Sequence, residues 1–430
     1  MRQLATVLSA ILAITGSSFA QNYAYILNGL SETLSRINLE SGAVENDILT
    51  LGVVPNHVVC NDDRLYVVNS ISASLQVIAI ENNQVVHEIP LPVNSNPWNV
   101  AVESEFAYIT GFASSKVYKV NLSSATLADS FATGQSPEGI IIIDDKLYIA
   151  NTAFNPVDFS YGQGSVTVLD AGDGALIAQV NVGKNPQALA VGPDDIINVS
   201  CTGDYAAITG SIYFMDPQDN TVEDSLATGG NPFMPVMNAG GIGFVTAGGW
   251  IDHGYLFSYD AMNRNLLRGS DNPILVDIGA MGIAIDSLGY IYTANQLGNS
   301  INKLNSAGDI LAAYPVPGGP MSVAIFDTRT NIDANPDIPR ATDLPIAYPN
   351  PFNGSVTINW PESGDQAGHV VLEIFDLQGR LITNLTAEAG MRASRFYWDG
   401  SNQVGEPVST GIYFARAKGL KQALKLVLLK

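Results

Sequence analysis

Short apolar runs separated by polar turns alternate along most of the chain, and no long amphipathic helical pattern interrupts them. One run recurs with an aromatic residue near its start and a small residue or Asn near its end: YAYILNG (23–29), RLYVVNS (64–70), FAYITGF (106–112), KLYIANT (146–152), INVSCTG (197–203), GFVTAGG (243–249) and YIYTANQ (290–296). These seven copies lie 40 to 50 residues apart. Each is followed, in the same phase, by a second apolar run that ends in a turn of Asp, Asn, Ser or Gly, as in RINLESGAV, TVLDAGDGAL and NKLNSAGDIL. Such turns between two alternating runs mark hairpins. A third feature is an X-Pro step before an apolar strand: VPNHVVC, NPWNVAV, SPEGIIII, NPQALAV, NPFMPVM and GPMSVAIF, with GAMGIAI in the remaining gap. Proline presets the backbone there and loses little where no ladder partner is needed. Four short strands in 40 to 50 residues make a propeller blade. The repeats begin on a second strand and end on a first strand, so residues 320–326 are predicted to complete blade one and remove an open edge. The fold class is all-β, with a seven-bladed β-propeller over 21–327.

Beyond Asp327 the period disappears. Residues 328–343 are rich in Pro and form an extended linker. Strands return in SVTINW (355–360), HVVLEIFDL (369–377), RLITNL, RASRFYWDG (392–400), TGIYFARAKG (410–419) and QALKLVLLK, and Gly379 in LQGR can take positive φ. This pattern over 344–430 predicts an Ig-like β-sandwich. The terminal strand, with Leu424, Leu426 and Leu428 on one face, either completes that sandwich or pairs with the edge of a receptor.

Two resemblances follow from these residues. LYVVNS and LYIANT are similar to the repeat strand of the YVTN-repeat, YncE-like propellers, a fold that serves binding proteins, lactonases, lyases and dehydrogenases alike. YPNPFN…VTINW, IFDLQGRLI, WDGSNQVGEPVSTGIYFARA and KLVLLK resemble the C-terminal sorting domain (type A) of the type IX secretion system and the related FlgD-type Ig-like domain. The matching positions are Pro349, Asn350, Pro351, Phe352, Asp376, Gly379, Trp398, Asp399, Gly400, Gly411, Tyr413 and Lys430. The resemblance implies an address module recognised by an export machinery, often removed on release, and a protein secreted or held on the outer cell surface.

The N-terminus agrees with export. Arg2, the apolar run Leu4–Ile14 and the small residues Ser18 and Ala20 form a secretory signal peptide over 1–20, cleaved after Ala20. No later run is long enough to span a bilayer as a helix. Net charge is −21, and residues 21–339 alone carry −23, so nucleic acid and anionic membranes are poor partners. Cys60 and Cys201 fall in different blades and are expected to be small buried residues.

Loop length supplies the positional hint about a site. The connection from second to third strand is brief in early blades but grows in three consecutive ones: 151–168, 201–214 and 247–259. These loops bring Phe154, Phe159, Tyr161, Tyr205, Trp250, His253 and Tyr255 to one face. The X-Pro loops, expected on the same face, add Asn56, His57, Asn96 and Trp98. The rings either build a wall that binds a glycan, peptide or protein, or pack the loops down onto the propeller. No catalytic motif, phosphate loop or cofactor signature is present, and DAGDG and DPQDN fall at the repeating hairpin turn without the remaining ligands of a calcium loop. The expectation is therefore a binding module without catalytic residues, metal or cofactor. A hydrolase or lyase with His and acidic residues in the central channel is one alternative. A structural spacer without a ligand is the other.

Overall fold

A computed structural model of the chain describes residues 22–327, 346–348, 350–361, 371–377, 379–386, 393–417 and 424–429. The signal peptide, the linker, Pro349 and Lys430 lie outside these residues. Between Tyr23 and Phe326 the chain forms seven successive antiparallel sheets. The recurring aromatic run is the second strand of each, from Tyr23–Asn28 through Arg64–Asn69 to Ile291–Asn295. These strands read as near-continuous apolar runs because neighbouring blades cover both faces: all six residues of Tyr23–Asn28 are buried. Fourth strands such as Gln84–Pro90 and Thr126–Ala132 are largely exposed, which accounts for their polar composition.

The ring closes as the repeat phase predicts. Pro320–Phe326 pairs antiparallel with Tyr23–Asn28 and becomes the inner strand of blade one. The inner strands then neighbour one another around a complete circle: Pro320–Phe326 touches both Pro55–Asn61 and Ala280–Ile285. The propeller has seven hydrophobic cores, one between each pair of adjacent blades. Leu27 and Tyr25 pack with Val58 and Leu65 between blades one and two, and Ile26 and Val323 pack with Tyr292 and Ile301 between blades one and seven. The other five interfaces repeat the arrangement.

Two polar devices recur inside the blades. The Asn near the end of the second strand is buried, and its amide ties across to the third strand: Asn28 to Ser35 (2.8 Å), Asn69 to Gln76 (3.0 Å), Asn151 to Thr167 (2.8 Å) and Asn295 to Asn302 (3.1 Å). The repeat Tyr faces a cation on the third strand in blades one, three and seven: Tyr25 opposite Arg36, Tyr108 opposite Lys119, Tyr292 opposite Lys303. Lys119 is buried and donates to the carbonyls of Ala171 (2.9 Å) and Gly172 (2.8 Å) in the next blade. The acidic hairpins are turns: Asp170 Oδ1 accepts from the Gly172 and Asp173 amides, and Asp216 Oδ1 from that of Gln218. Cys60 and Cys201 are unbridged, and Cys201 is fully enclosed.

Blade six departs from the pattern. The step at Pro232 does not open its inner strand, which runs only over Pro235–Met237, and an additional strand, Ile274–Val276, pairs with Gly254–Asp260. The second proline in NPFMPVM, Pro235, has no N–H to donate, and ahead of it Phe233 N bonds Thr246 O (2.6 Å) and Met234 O accepts from Thr246 N (3.2 Å).

The C-terminal residues form a sandwich of two sheets. Ile346–Tyr348, Val356–Pro361 and Ala393–Trp398 make one, and Leu381–Thr386, Val371–Asp376, Gly411–Ala417 and Leu424–Leu428 make the other. Trp360, Trp398, Phe396, Ile374 and Leu426 fill the space between them. The motif residues are structural keepers. Trp398 stacks edge-on against Phe352 (5.6 Å) and Tyr413 (5.1 Å), and its Nε1 donates to Ser401 O (2.9 Å). Asp376 Oδ1 accepts the Arg380 amide, while Gly379, at φ 77°, carries the turn. Asp399 Oδ1 accepts the Ser401 amide (3.0 Å) beside Gly400. Tyr413 OH donates to Ser409 O (2.7 Å), a corner brace typical of such sandwiches. Gly411 opens the strand that pairs with Leu424–Leu428.

Of the two roles open to the last strand, completion of the sandwich is the one seen. Its first edge pairs with Gly411–Ala417. Its second edge is covered by the segment that starts at Asn350: Asn350 donates to Lys425 O (2.7 Å) and accepts from Val427 N (2.8 Å). Phe352 N and O bond Val427 O (2.9 Å) and Leu429 N (2.7 Å). An edge with both sets of partners in place is not offered for pairing.

Candidate functional site

The site is built by an irregularity repeated around the ring. At the head of the inner strands the residue before the proline adopts positive φ: 54° at Val54, 48° at Asn96, 52° at Ser136 and 54° at Asn185. For a β-branched residue such as Val54 this conformation is strained. Immediately afterwards the pairing register slips by one. Pro55 faces Asn69 but His57 faces Val68, and blades one, three, four, five and seven repeat the slip. A β-bulge of this kind frees one residue from the ladder and re-aims its side chain. The bulges bring Asn56, Trp98, Glu138, Gln187, Met281 and Met321 to one small solvent-open cavity at the end of the central channel. In blade six Phe233 and Met234 together face Thr246, through Phe233 N to Thr246 O (2.6 Å) and Thr246 N to Met234 O (3.2 Å), and both line the cavity; Asn99 and Ala188 complete the lining. Hydroxyls from each preceding blade hold the bulges in place: Thr110 Oγ1 donates to Glu138 O (2.7 Å) and Thr246 Oγ1 to Met281 O (2.6 Å).

One member of the ring is out of keeping with its surroundings. Glu138 is only 6% exposed, and its carboxyl meets solvent only at the cavity that it lines. Burial alone pushes its pKa from 4.5 to about 8. The folded protein therefore holds this proton more tightly than the unfolded chain. The associated stability is fully present below pH 4.5 and is lost as pH rises through about 8. Glu138→Gln is expected to raise the thermal midpoint at pH 9 and to leave it unchanged near pH 4.5, as followed by calorimetry across a pH series.

A wall of rings rises beside this floor. Trp98 and Phe112 lie 5.4 Å apart, Phe112 and Phe154 5.8 Å, Phe154 and Tyr161 5.3 Å, and Tyr161 and Tyr205 6.0 Å between ring centres. The run crosses three blades and returns to the floor where Gln187 Nε2 donates to Tyr205 OH (3.2 Å). Burial raises the pKa of both Tyr161 and Tyr205, with the Glu138 charge adding to the effect, so both hydroxyls stay neutral at physiological pH. Side-chain donors seat the longest loop: Phe154 O accepts from Gln135 Nε2 (2.7 Å) and Ser136 Oγ (3.3 Å).

The residues expected from the sequence are thus partly gathered. Trp98 lines the cavity, and Phe154, Tyr161 and Tyr205 form the wall with it. Phe159 is 74% exposed at the outer end of the run. Trp250 is 46% exposed and stands across Gly248 from Phe233, while His253 and Tyr255 lie in the open on the same loop and the strand that follows it. Asn96 is half-buried in the loop that leads to Trp98. His57 is displaced from the expected face. Its Nδ1 meets Ser322 Oγ (3.3 Å) between blades one and two, and burial pushes its pKa down to about 4, so the ring is neutral. The bulge is the reason: it turns Asn56 into the cavity and returns His57 to the ladder. Glu138, Gln187, Phe233, Met281 and Met321 escape a search for aromatic loops. Their common signal is position, since each directly follows the X-Pro step or its Ala280 equivalent.

The two units differ in what comparison shows. The sandwich carries the whole ordered series of motifs, from PNPFN to the terminal strand. Residues 346–428 match the secretion system C-terminal sorting domain. The sorting domain implies secretion to the cell surface or the extracellular space and, with it, contact with an export machinery. No helix among the described residues is long and apolar enough to cross a membrane. Comparison with curated proteins finds no match. Solved structures resemble the chain in fold. The hydrazine synthase of Kuenenia stuttgartiensis is 18% identical, with a TM-score of 0.56 over 63% of this chain and 89% of that one. A functionally unknown protein from Desulfotomaculum acetoxidans is 15% identical, with a TM-score of 0.57 over 71% of this chain and 99% of that one.

Proposed function

We propose that the chain is an exported binding protein whose propeller takes its ligand at the channel mouth. Residues 1–20 act as the signal peptide, 21–327 as the cargo, 328–343 as the linker and 344–430 as the address. One observation carries the binding role. A continuous run of rings from Trp98 to Tyr205 borders a solvent-open cavity floored by a buried carboxyl and by amides. Rings on a rigid scaffold supply contact area at low entropic cost, and the polar floor supplies orientation. This is recognition without covalent chemistry, as the YVTN-like resemblance also allows.

Arrays of glycans and peptides probed with the purified protein provide the test. The Trp98→Ala/Tyr161→Ala double variant should lose binding of any hit by at least about tenfold, as expected for central aromatic contacts. Its thermal midpoint controls for folding. Undiminished binding by the double variant would remove the channel mouth as the site.

A further inference from the structure

Glu138 raises a question that the binding role leaves open. A carboxyl enclosed to this degree ordinarily has a cation or several donors beside it, because an isolated buried charge is costly. Here the cavity lining contains no Lys, Arg or His. The cavity that Glu138 lines is bordered by the rings of Trp98 and Phe233 and by Met281 and Met321, together with the neutral amides of Asn56, Asn99 and Gln187. Aromatic faces and polarizable sulfur favour a diffuse, weakly hydrated cation. A hard divalent ion would want six or more oxygens, which this lining does not supply. The surrounding field points the same way, since residues 21–339 carry a balance of −23.

We propose that the channel mouth binds an organic ammonium group, with Glu138 as its counter-ion and Trp98 and Phe233 as its aromatic walls. This rests on the channel mouth being the binding site and names the ligand class that it takes. The cation supplies what the carboxyl lacks. In its absence the carboxyl keeps a proton up to about pH 8, and on binding it gives that proton to solvent. The other titratable groups near the site are neutral throughout this range: Tyr161 and Tyr205 are raised by burial, and His57, next to Asn56 in the chain, is lowered to about 4. Coulombic attraction and ring contact then act together in a partly desolvated space.

Titration calorimetry of the full chain with three probes tests this: choline, n-butylammonium, and 3,3-dimethyl-1-butanol as the neutral isostere of choline. Choline or n-butylammonium should bind at least about tenfold more tightly than the alcohol, a margin typical of a desolvated cation–π contact joined to an ion pair. The better of the two identifies a quaternary or a primary ammonium as the preferred group. Choline carries a permanent charge, so its affinity should rise by more than about tenfold from pH 6 to pH 8 as Glu138 ionises. Glu138→Gln should abolish both the preference and the pH dependence, and Trp98→Ala should weaken both cations. Equal binding of the alcohol, an unchanged preference in Glu138→Gln, or no binding of either cation would overturn the proposal. A glycan or neutral peptide that binds through Trp98 and Tyr161 in those cases leaves the mouth as a binding site and removes only its cation specificity. If nothing binds at all, both readings fall.

Discussion

A chain from which Pro320–Phe326 has been deleted is expected to lose the single cooperative unfolding transition of the propeller. This strand pairs the end of the repeats into the sheet that begins them. It contributes Val323 to the core between blades seven and one, and Ala324 to the core between blades one and two. Its removal opens two of the seven interfaces and leaves Tyr23–Asn28, buried along its whole length, as a free apolar edge. Such an edge invites pairing with other chains. Each Leu, Ile or Val returned to water costs about 1.5–3 kcal/mol, and Tyr25, Ile26 and Leu27 are all affected. The thermal midpoint should fall by more than about 10 °C, with aggregation visible in size-exclusion chromatography. A truncated chain that stays monomeric and melts within a few degrees of the full one would show that the ring does not need its closing strand.

The second large effect concerns delivery. Trp398→Ala should unfold the sorting domain and leave the propeller folded. The indole is 1% exposed, rests against Phe352 and Tyr413, and ties its ring nitrogen to Ser401 O. Truncating such a side chain costs about 3–5 kcal/mol, most of the stability of a small sandwich. Phe352 would also lose the face that holds it beside Val427 and Leu429, and so would the cover over the last strand. In a host that possesses the export machinery, fractionation should find the variant retained in the cell envelope and the wild type outside it. Calorimetry should show the lower-stability transition gone and the propeller transition kept. Normal export of a variant whose sandwich has melted would mean that the address is read from the bare sequence and not from the fold.

These expectations rest on features that were unequally legible beforehand. The recurrence of Tyr25, Tyr66, Tyr108, Tyr148 and Tyr292 with an Asn or small residue nearby announces second strands, because a strand covered on both faces has to be apolar throughout. The phase of the repeats likewise announces closure by Pro320–Phe326. The wall was partly visible, since the first two of three long loops in succession carry Phe154, Tyr161 and Tyr205. The floor was not. Glu138 sits in SPEGIIII like any polar residue at the start of a strand, and His57 in VPNHVVC looks equally available. A one-residue slip in register separates their fates, sending Asn56 and Glu138 into the cavity and His57 against Ser322.

The sequence by itself determined the all-β class, the seven repeats, the join between them and the address module that follows, because these depend on local periodicity and on ordered motifs. Only the tertiary structure decided that six residues at register slips and their blade-six counterpart meet at one mouth, that Glu138 is largely buried there, and that Asn350 and Phe352 cover the terminal strand. Those relations join residues 40 to nearly 300 positions apart, and closing the ring brings them together. Side-chain direction at a bulge and burial of a carboxyl are set by neighbours in space, which no local pattern records.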